Sequence, residues 1–101
     1  MDTRLRIINE IKVQVAKAGG EQELIDAVYA ELKVKSAVAY SIVRDSGFFD
    51  TGLIKLYRLI AEYSDLFFLS YWHALDTARI IADNLNSLDW GCPIVQDIIS
   101  A

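Results

Sequence analysis

The sequence is poor in the residues that crosslink chains, bind metals or interrupt helices. Its 101 residues include one cysteine, one histidine, one proline and five glycines. A single cysteine excludes an internal disulfide, so a reducing compartment is the simplest location and we expect a cytoplasmic protein. One imidazole and one thiol cannot provide the ligand spacings of zinc sites. We therefore expect no metal and no cofactor.

Long apolar runs are also missing. The longest uncharged, mostly apolar stretch runs from Leu66 to Leu75 and is closed by Asp76. This stretch is too short to cross a bilayer core of ~30 Å, and it suits a buried helix instead. The N-terminal residues 1–6 carry alternating charges and lead into no apolar run. We therefore expect neither a secretory signal nor a transmembrane segment.

Positive charge is scarce in the second half of the chain. Residues 1–60 hold nine basic and eight acidic side chains, whereas residues 61–101 hold one basic and six acidic ones. The net charges of these two parts are +1 and −5, and the whole chain carries −4. An acidic C-terminal part repels nucleic-acid phosphates and would suit a basic protein surface. Carboxylates that only keep a helix face soluble give the same pattern.

The chain is rich in apolar residues for its size. Hydrophobic residues make up 53% of it, and the mean hydropathy is +0.26. A chain of 101 residues fits one domain, 1–101. A domain this small has a high surface-to-volume ratio and cannot bury so much apolar surface within itself. We therefore expect another chain to cover part of that surface, and we predict a homodimer.

Glycine and serine residues mark the ends of the first three predicted helices. The first helix covers about 3–18 and ends at Gly19, because glycine readily takes the left-handed conformation of a helix C-terminus. The second covers about 21–32, and Ser36 caps a third that reaches about residue 45. Three- and four-residue spacings place the apolar stripe of the first helix at Leu5, Ile8, Ile11, Val15 and Ala18.

A pair of phenylalanines precedes the fourth predicted helix. We expect Phe48 and Phe49 to form a hydrophobic plug in a turn that folds back under the bundle. Asp50 or Thr51 is expected to cap the helix that follows. A narrow polar stripe predicts that this helix is mostly buried, and the stripe consists of Lys55, Arg58 and Glu62.

The C-terminal part predicts a central helix and a short last helix. A break near 64–65 separates the fourth helix from the central helix, about 65–84, because one helix over 51–84 would be unusually long. Asn84 and Gly91 accompany the loop that follows, and Pro93 opens the last helix. No alternation of β-branched residues competes with these helices. We predict an all-α fold, a compact bundle of four to six helices.

Two single residues are the only candidates for chemistry. His73 forms a His-x-x-Asp pair with Asp76, but helical di-metal sites use Glu-x-x-His motifs from two helices. Cys92 lies at the start of the last helix, where the helix N-terminus lowers a thiol pKa. A catalytic cysteine also needs a base, and His73 is the only imidazole. We therefore predict no catalytic site and a chain that is not an enzyme.

A helix-turn-helix DNA-binding protein is the first alternative. The second and third helices, joined by a short basic link, would place five side chains toward DNA, namely Lys33, Lys35, Ser36, Tyr40 and Arg44. A lysine occupies the turn where such motifs favour a small residue. The isoelectric point of about 4.8 also argues against it, because neutralisation of phosphates provides most of the affinity.

A dense aromatic segment is the most distinctive feature of the sequence. Its members cannot all face one core at 100° per residue, and tyrosine and tryptophan are enriched at interfaces. The predicted partner or dimer interface comprises Tyr63, Phe67, Phe68, Tyr71, Trp72, Asp76 and Trp90. A central helix surrounded on all sides within one chain would explain the same pattern.

The functional prediction is a non-catalytic protein–protein interaction module. Its small size and acidity suit an inhibitor, adaptor or immunity-type protein that binds and occludes a partner of unknown identity. Besides the DNA-binding regulator, a bundle that binds a small apolar ligand remains an alternative. That second alternative predicts a cavity beside Trp72, His73 and Cys92.

Overall fold

The computed structural model describes residues 2–63 and 77–101, which form helices and turns without a strand. The helices are α1 Thr3–Ala18, α2 Glu21–Lys35, α3 Ala37–Asp45, α4 Ile54–Glu62, α5 Thr77–Ser87 and α6 Pro93–Ser100. The predicted all-α fold of four to six helices is confirmed. In these described parts, no helix is both long enough and apolar enough to cross a membrane.

The ends of the first three helices follow their capping residues. The Asp2 carboxylate caps α1 by accepting a backbone N–H at 3.0 Å, and Gly19 ends this helix at a φ of 101°. The Ser36 hydroxyl accepts the N–H of Ala39 at 3.2 Å and caps α3. α2 continues to Lys35, beyond the predicted end, because cations in a last turn complement the helix dipole. Ser36 alone therefore connects α2 to α3.

The prediction that Asp50 or Thr51 caps α4 is wrong. α4 begins at Ile54, and Leu53 precedes it without a side-chain cap. Gly52 has a φ of 79°, a left-handed conformation that interrupts the chain just before the helix. The turns at 46–53 thereby bury Leu53 and the two phenylalanines instead of starting a helix.

α4 ends at Glu62, and Tyr63 follows with a φ of −130° and a ψ of 50°. One helix over 51–84 is therefore excluded, and the predicted break is confirmed. The predicted central helix lies partly outside the described residues. Its described part, 77–84, is helical and continues to Ser87. Asn84 was expected in a loop but lies within α5, where its amide donates to the carbonyl of Ile80 at 2.8 Å.

The predicted apolar stripe of α1 is confirmed in the middle of the helix but not at its ends. Ile11 is buried, and Ile8 and Val15 are half-buried against the core, whereas Leu5 is 52% exposed and Ala18 is exposed. Ile7 and Gln14, outside the predicted stripe, are also buried. The guanidinium of Arg4 donates to the carbonyl of Ala61 at 2.7 Å and ties the start of α1 to the end of α4. α1 packs against both α2 and α4.

Five aromatic rings form a chain of edge-to-face contacts through the core. Tyr40 contacts Tyr29 at 5.7 Å between ring centroids, and Tyr29 contacts Phe49 at 5.5 Å. Phe49 contacts Phe48 at 4.9 Å, and Phe48 contacts Trp90 at 5.7 Å. Both phenylalanines are buried, so the predicted hydrophobic plug is confirmed. The plug connects α2 and α3 to the loop between α5 and α6.

Truncation of Phe48 tests this role. Phe48 is fully buried and contacts two other rings, so Phe48→Ala should lower the free energy of unfolding by about 3–5 kcal/mol. Val34→Ala is the control, because Val34 is 89% exposed and its truncation should change stability by less than about 0.5 kcal/mol. Urea unfolding of both variants measures the difference. Equal stabilities would show that the plug does not hold the core together.

Candidate functional site

Exposed aliphatic side chains cluster where α2 meets α3. Val34 is 89% exposed, Val38 is 70% exposed and Ile42 is 38% exposed. Val34 and Val38 lie two residues before and two residues after the connecting Ser36. Val38 and Ile42 are four residues apart and share one face of α3. We call these three residues the α2–α3 corner.

Basic side chains surround a tyrosine beside this corner. Lys33 Nζ lies 6.0 Å and Arg44 Cζ lies 5.3 Å from the centre of the Tyr40 ring. Both distances suit cation–π attraction. Segment 33–45 holds three basic residues and one acidic residue, a net charge of +2 on a chain of −4. The corner therefore combines exposed aliphatic side chains with a local positive charge.

The five residues predicted for DNA contact lie around this corner, but three of them have structural partners. Ser36 caps α3, and Tyr40 is half-buried against Tyr29. Lys35 forms an ion pair with Asp83 of α5. Lys33 has no ion pair among the described residues, and Arg44 pairs only with the adjacent aspartate, Asp45, at 3.0 Å.

A second surface feature is the groove between α4 and α6. The two helices run antiparallel, since Lys55 Nζ at the start of α4 donates to the carbonyl of Ile99 at 2.6 Å near the end of α6. Lys55 is buried, which corrects its predicted place in an exposed polar stripe. The groove has a volume of about 350 Å³ and is lined by Arg58, Ala61, Glu62, Ile94, Asp97 and Ile98.

The Tyr63 hydroxyl and the Cys92 thiol meet at the other end of this helix pair, 3.3 Å apart. The hydrogen bond with Cys92 raises the pKa of Tyr63 to about 12. The Tyr63 hydroxyl, and then the backbone N–H groups of Ile94 and Val95, lower the pKa of Cys92. The thiol of Cys92 therefore loses its proton before the Tyr63 hydroxyl does, and the hydroxyl then donates a hydrogen bond to the thiolate.

Most of the predicted aromatic interface lies outside the described residues. The members that lie outside are Phe67, Phe68, Tyr71, Trp72 and Asp76. The same holds for His73. Tyr63 and Trp90 are described, and both are half-buried with partners inside the chain. Tyr63 bonds to Cys92, while Trp90 Nε1 donates to the carbonyl of Leu85 at 3.0 Å. The aromatic interface stays a prediction.

Sequence reasoning missed the α2–α3 corner. In α3, two pairs of apolar residues are spaced four apart, and the pair Ala39 and Val43 is buried whereas Val38 and Ile42 are exposed. A nine-residue helix with two apolar stripes is the signal that could have indicated an exposed patch. Which stripe faces out depends on where α2 and α5 pack.

Within residues 2–63 and 77–101, no three His, Cys, Asp or Glu side chains lie close enough together to hold a metal ion. No family model matches the chain, and comparisons with curated proteins and with solved structures gave no significant match. The geometry of the corner and of the groove is therefore the basis for a functional proposal.

Removal of the Tyr63 hydroxyl tests the Tyr63–Cys92 pair. The thiolate is the form that reacts with iodoacetamide, and Tyr63→Phe removes a donor that stabilises it. The pKa of Cys92 should rise, so the midpoint of the alkylation rate against pH should move to higher pH. Tyr57→Phe, a half-buried tyrosine on the same helix, should leave the midpoint unchanged. Coinciding profiles for Tyr63→Phe and the unchanged chain would contradict the assignment.

Proposed function

We propose that this chain is a non-catalytic protein–protein interaction module that binds its partner through the α2–α3 corner. In this proposal it is a homodimer in the cytoplasm and acts as a small inhibitor, adaptor or immunity-type protein that occludes the partner. The observation that carries the proposal is the exposure of Val34 and Val38, at 89% and 70%, beside a half-buried tyrosine.

Exposed aliphatic surface favours a protein partner because its removal from water is stabilising. Burial contributes roughly 25 cal/mol per Å² of apolar surface, and contiguous exposed apolar patches mark interaction sites. Tyrosine and arginine are the residue types that dominate binding energy at interfaces. Tyr40 and Arg44 lie together at the corner and supply both types.

The charge at the corner indicates what the partner offers. Lys33 and Arg44 lie beside the apolar side chains, and segment 33–45 carries +2. A complementary partner surface has an apolar centre and carboxylates at its rim. Such rim charges mainly accelerate association and make it dependent on salt.

The same corner would serve the DNA-binding alternative, but its exposed side chains fit a protein better. A helix that enters a DNA groove presents polar side chains to bases and cations to phosphates. α3 instead presents Val38 and Ile42, with a single arginine that is paired to Asp45. We therefore keep DNA binding as an outcome of the test below.

The other parts of the proposal have separate support. Cys92 is a free thiol, which suits a reducing compartment such as the cytoplasm. Seven large hydrophobic side chains are exposed among the described residues, which suits a chain that associates with further copies as well as with a partner.

A charge placed in the corner tests the proposed partner site. Val38→Asp should abolish binding of a specific protein from a lysate of the source cell. The new carboxylate would be buried in an apolar interface, and the acidic rim of the partner would repel it. Val13→Asp is the matched control, a valine on α1 that is 48% exposed. Quantitative capture with each tagged chain, with and without nuclease, measures the effect.

Each result of this capture experiment has a definite meaning. A protein retained by the unchanged chain and by Val13→Asp, and lost with Val38→Asp, supports the proposal. Salt should weaken that binding, and Lys33→Glu should slow association. Identical captured proteins for both aspartate variants would contradict the corner as the site. Material lost on nuclease treatment would favour the DNA-binding alternative.

A further inference from the structure

The α4–α6 groove carries charges of both signs beside exposed apolar side chains. Ile54 on α4 is 57% exposed and Ile94 on α6 is 46% exposed. Arg58 lies on α4, and Asp97 lies on α6. Neither of these two charged groups forms an ion pair within the described parts of the chain. The groove therefore combines apolar surface with one cation, Arg58, and two carboxylates, Glu62 on α4 and Asp97 on α6.

We propose that the α4–α6 groove is the seam of the homodimer and that its occupant is the same face of a second copy of this chain. Around a twofold axis, Arg58 of each copy lies opposite Asp97 of the other, and the exposed isoleucines lie toward the two ends of the helix pair. This inference rests on the homodimer part of the proposed function and is independent of the partner that binds the α2–α3 corner.

The distribution of charge selects a second copy as the occupant. In a twofold interface the same patch is used twice, so the patch must be complementary to itself. The α4–α6 groove meets this condition, because it offers a cation, Arg58, together with the carboxylates of Glu62 and Asp97, and none of the three forms an ion pair among the described residues. The α2–α3 corner does not, since its cation Lys33 is unpaired in these parts of the chain while the carboxylates beside it, Asp45 and Asp83, are already paired to Arg44 and Lys35. The two surfaces therefore suit different partners.

The groove is already shaped for packing. Two contacts join α4 and α6 near opposite ends: the bond from Lys55 to the carbonyl of Ile99, and the contact between Tyr63 and Cys92. A face that is held in its bound shape loses little conformational entropy on association. Ile94 lines the groove, and Ile54 lies one turn before Arg58 on the same face of α4, so both supply apolar area beside the charged pairs, which fix the register.

Charge reversal at the two positions tests the seam directly. In Arg58→Glu, and separately in Asp97→Lys, both contacts across the axis would join like charges, and dimerisation should weaken at least about tenfold. An equimolar mixture of the two variants should dimerise again, because each copy then meets charges opposite to its own at both contacts. Sedimentation velocity and light scattering on the full chain measure the masses.

The controls separate this seam from folding and from the corner. Lys17→Glu, a charge reversal at an exposed position of α1, should leave the dimer intact, and so should Val38→Asp. Matched unfolding midpoints for Arg58→Glu, Asp97→Lys and the unchanged chain would exclude a folding defect.

Three results would overturn the inference. If the unchanged chain is monomeric, both the seam and the homodimer are ruled out. If neither charge reversal weakens the dimer, the seam is ruled out but the homodimer of the proposed function stands. If both reversals weaken the dimer but their mixture stays monomeric, the pairing of Arg58 with Asp97 across a twofold axis is ruled out. Partner capture by the corner, measured on the same samples, reports separately on partner binding.

Discussion

The packing of Phe48 and Phe49 in the turns before α4 is the constraint on which the rest of the fold depends. The two buried rings contact Tyr29 on one side and Trp90 on the other, and so connect the α2–α3 pair to the loop before α6. Their position requires the left-handed glycine at Gly52, which keeps the chain from starting α4 too early. The chain thus changes direction in the turns at 46–53, and Leu53, the residue just before α4, is buried.

This arrangement produces two surfaces of different chemistry. α3 buries Ala39 and Val43, so its second apolar stripe remains exposed next to basic side chains. α4 packs between α1 and α6, and the α4–α6 groove stays open with charges of both signs. In our proposal the first surface binds a partner with an acidic rim and the second binds another copy of the chain. Because the two surfaces are separate, both contacts can form at the same time in this proposal.

Short-range chemistry made several structural features predictable. Gly19 and Ser36 act where their backbone preference and side chain predict, because capping depends on neighbours within about one turn. Lys33 and Arg44, two of the residues predicted to contact DNA, lie together beside the Tyr40 ring. The exposure of Val38 was not predictable, because both stripes of α3 are apolar and the exposed pair, Val38 and Ile42, is bulkier than the buried pair, Ala39 and Val43.

The sequence by itself determined the all-α class, most helix ends and the phenylalanine plug, since these follow from local hydrogen bonding and from the hydrophobic effect on strongly apolar residues. Only the tertiary structure decided which face each helix buries. The guanidinium of Arg4 at the start of α1 donates a hydrogen bond to the carbonyl of Ala61 in α4, and the ammonium of the buried Lys55 donates one to the carbonyl of Ile99 in α6. Such contacts join residues far apart in sequence, and periodicity within one helix carries no information about them.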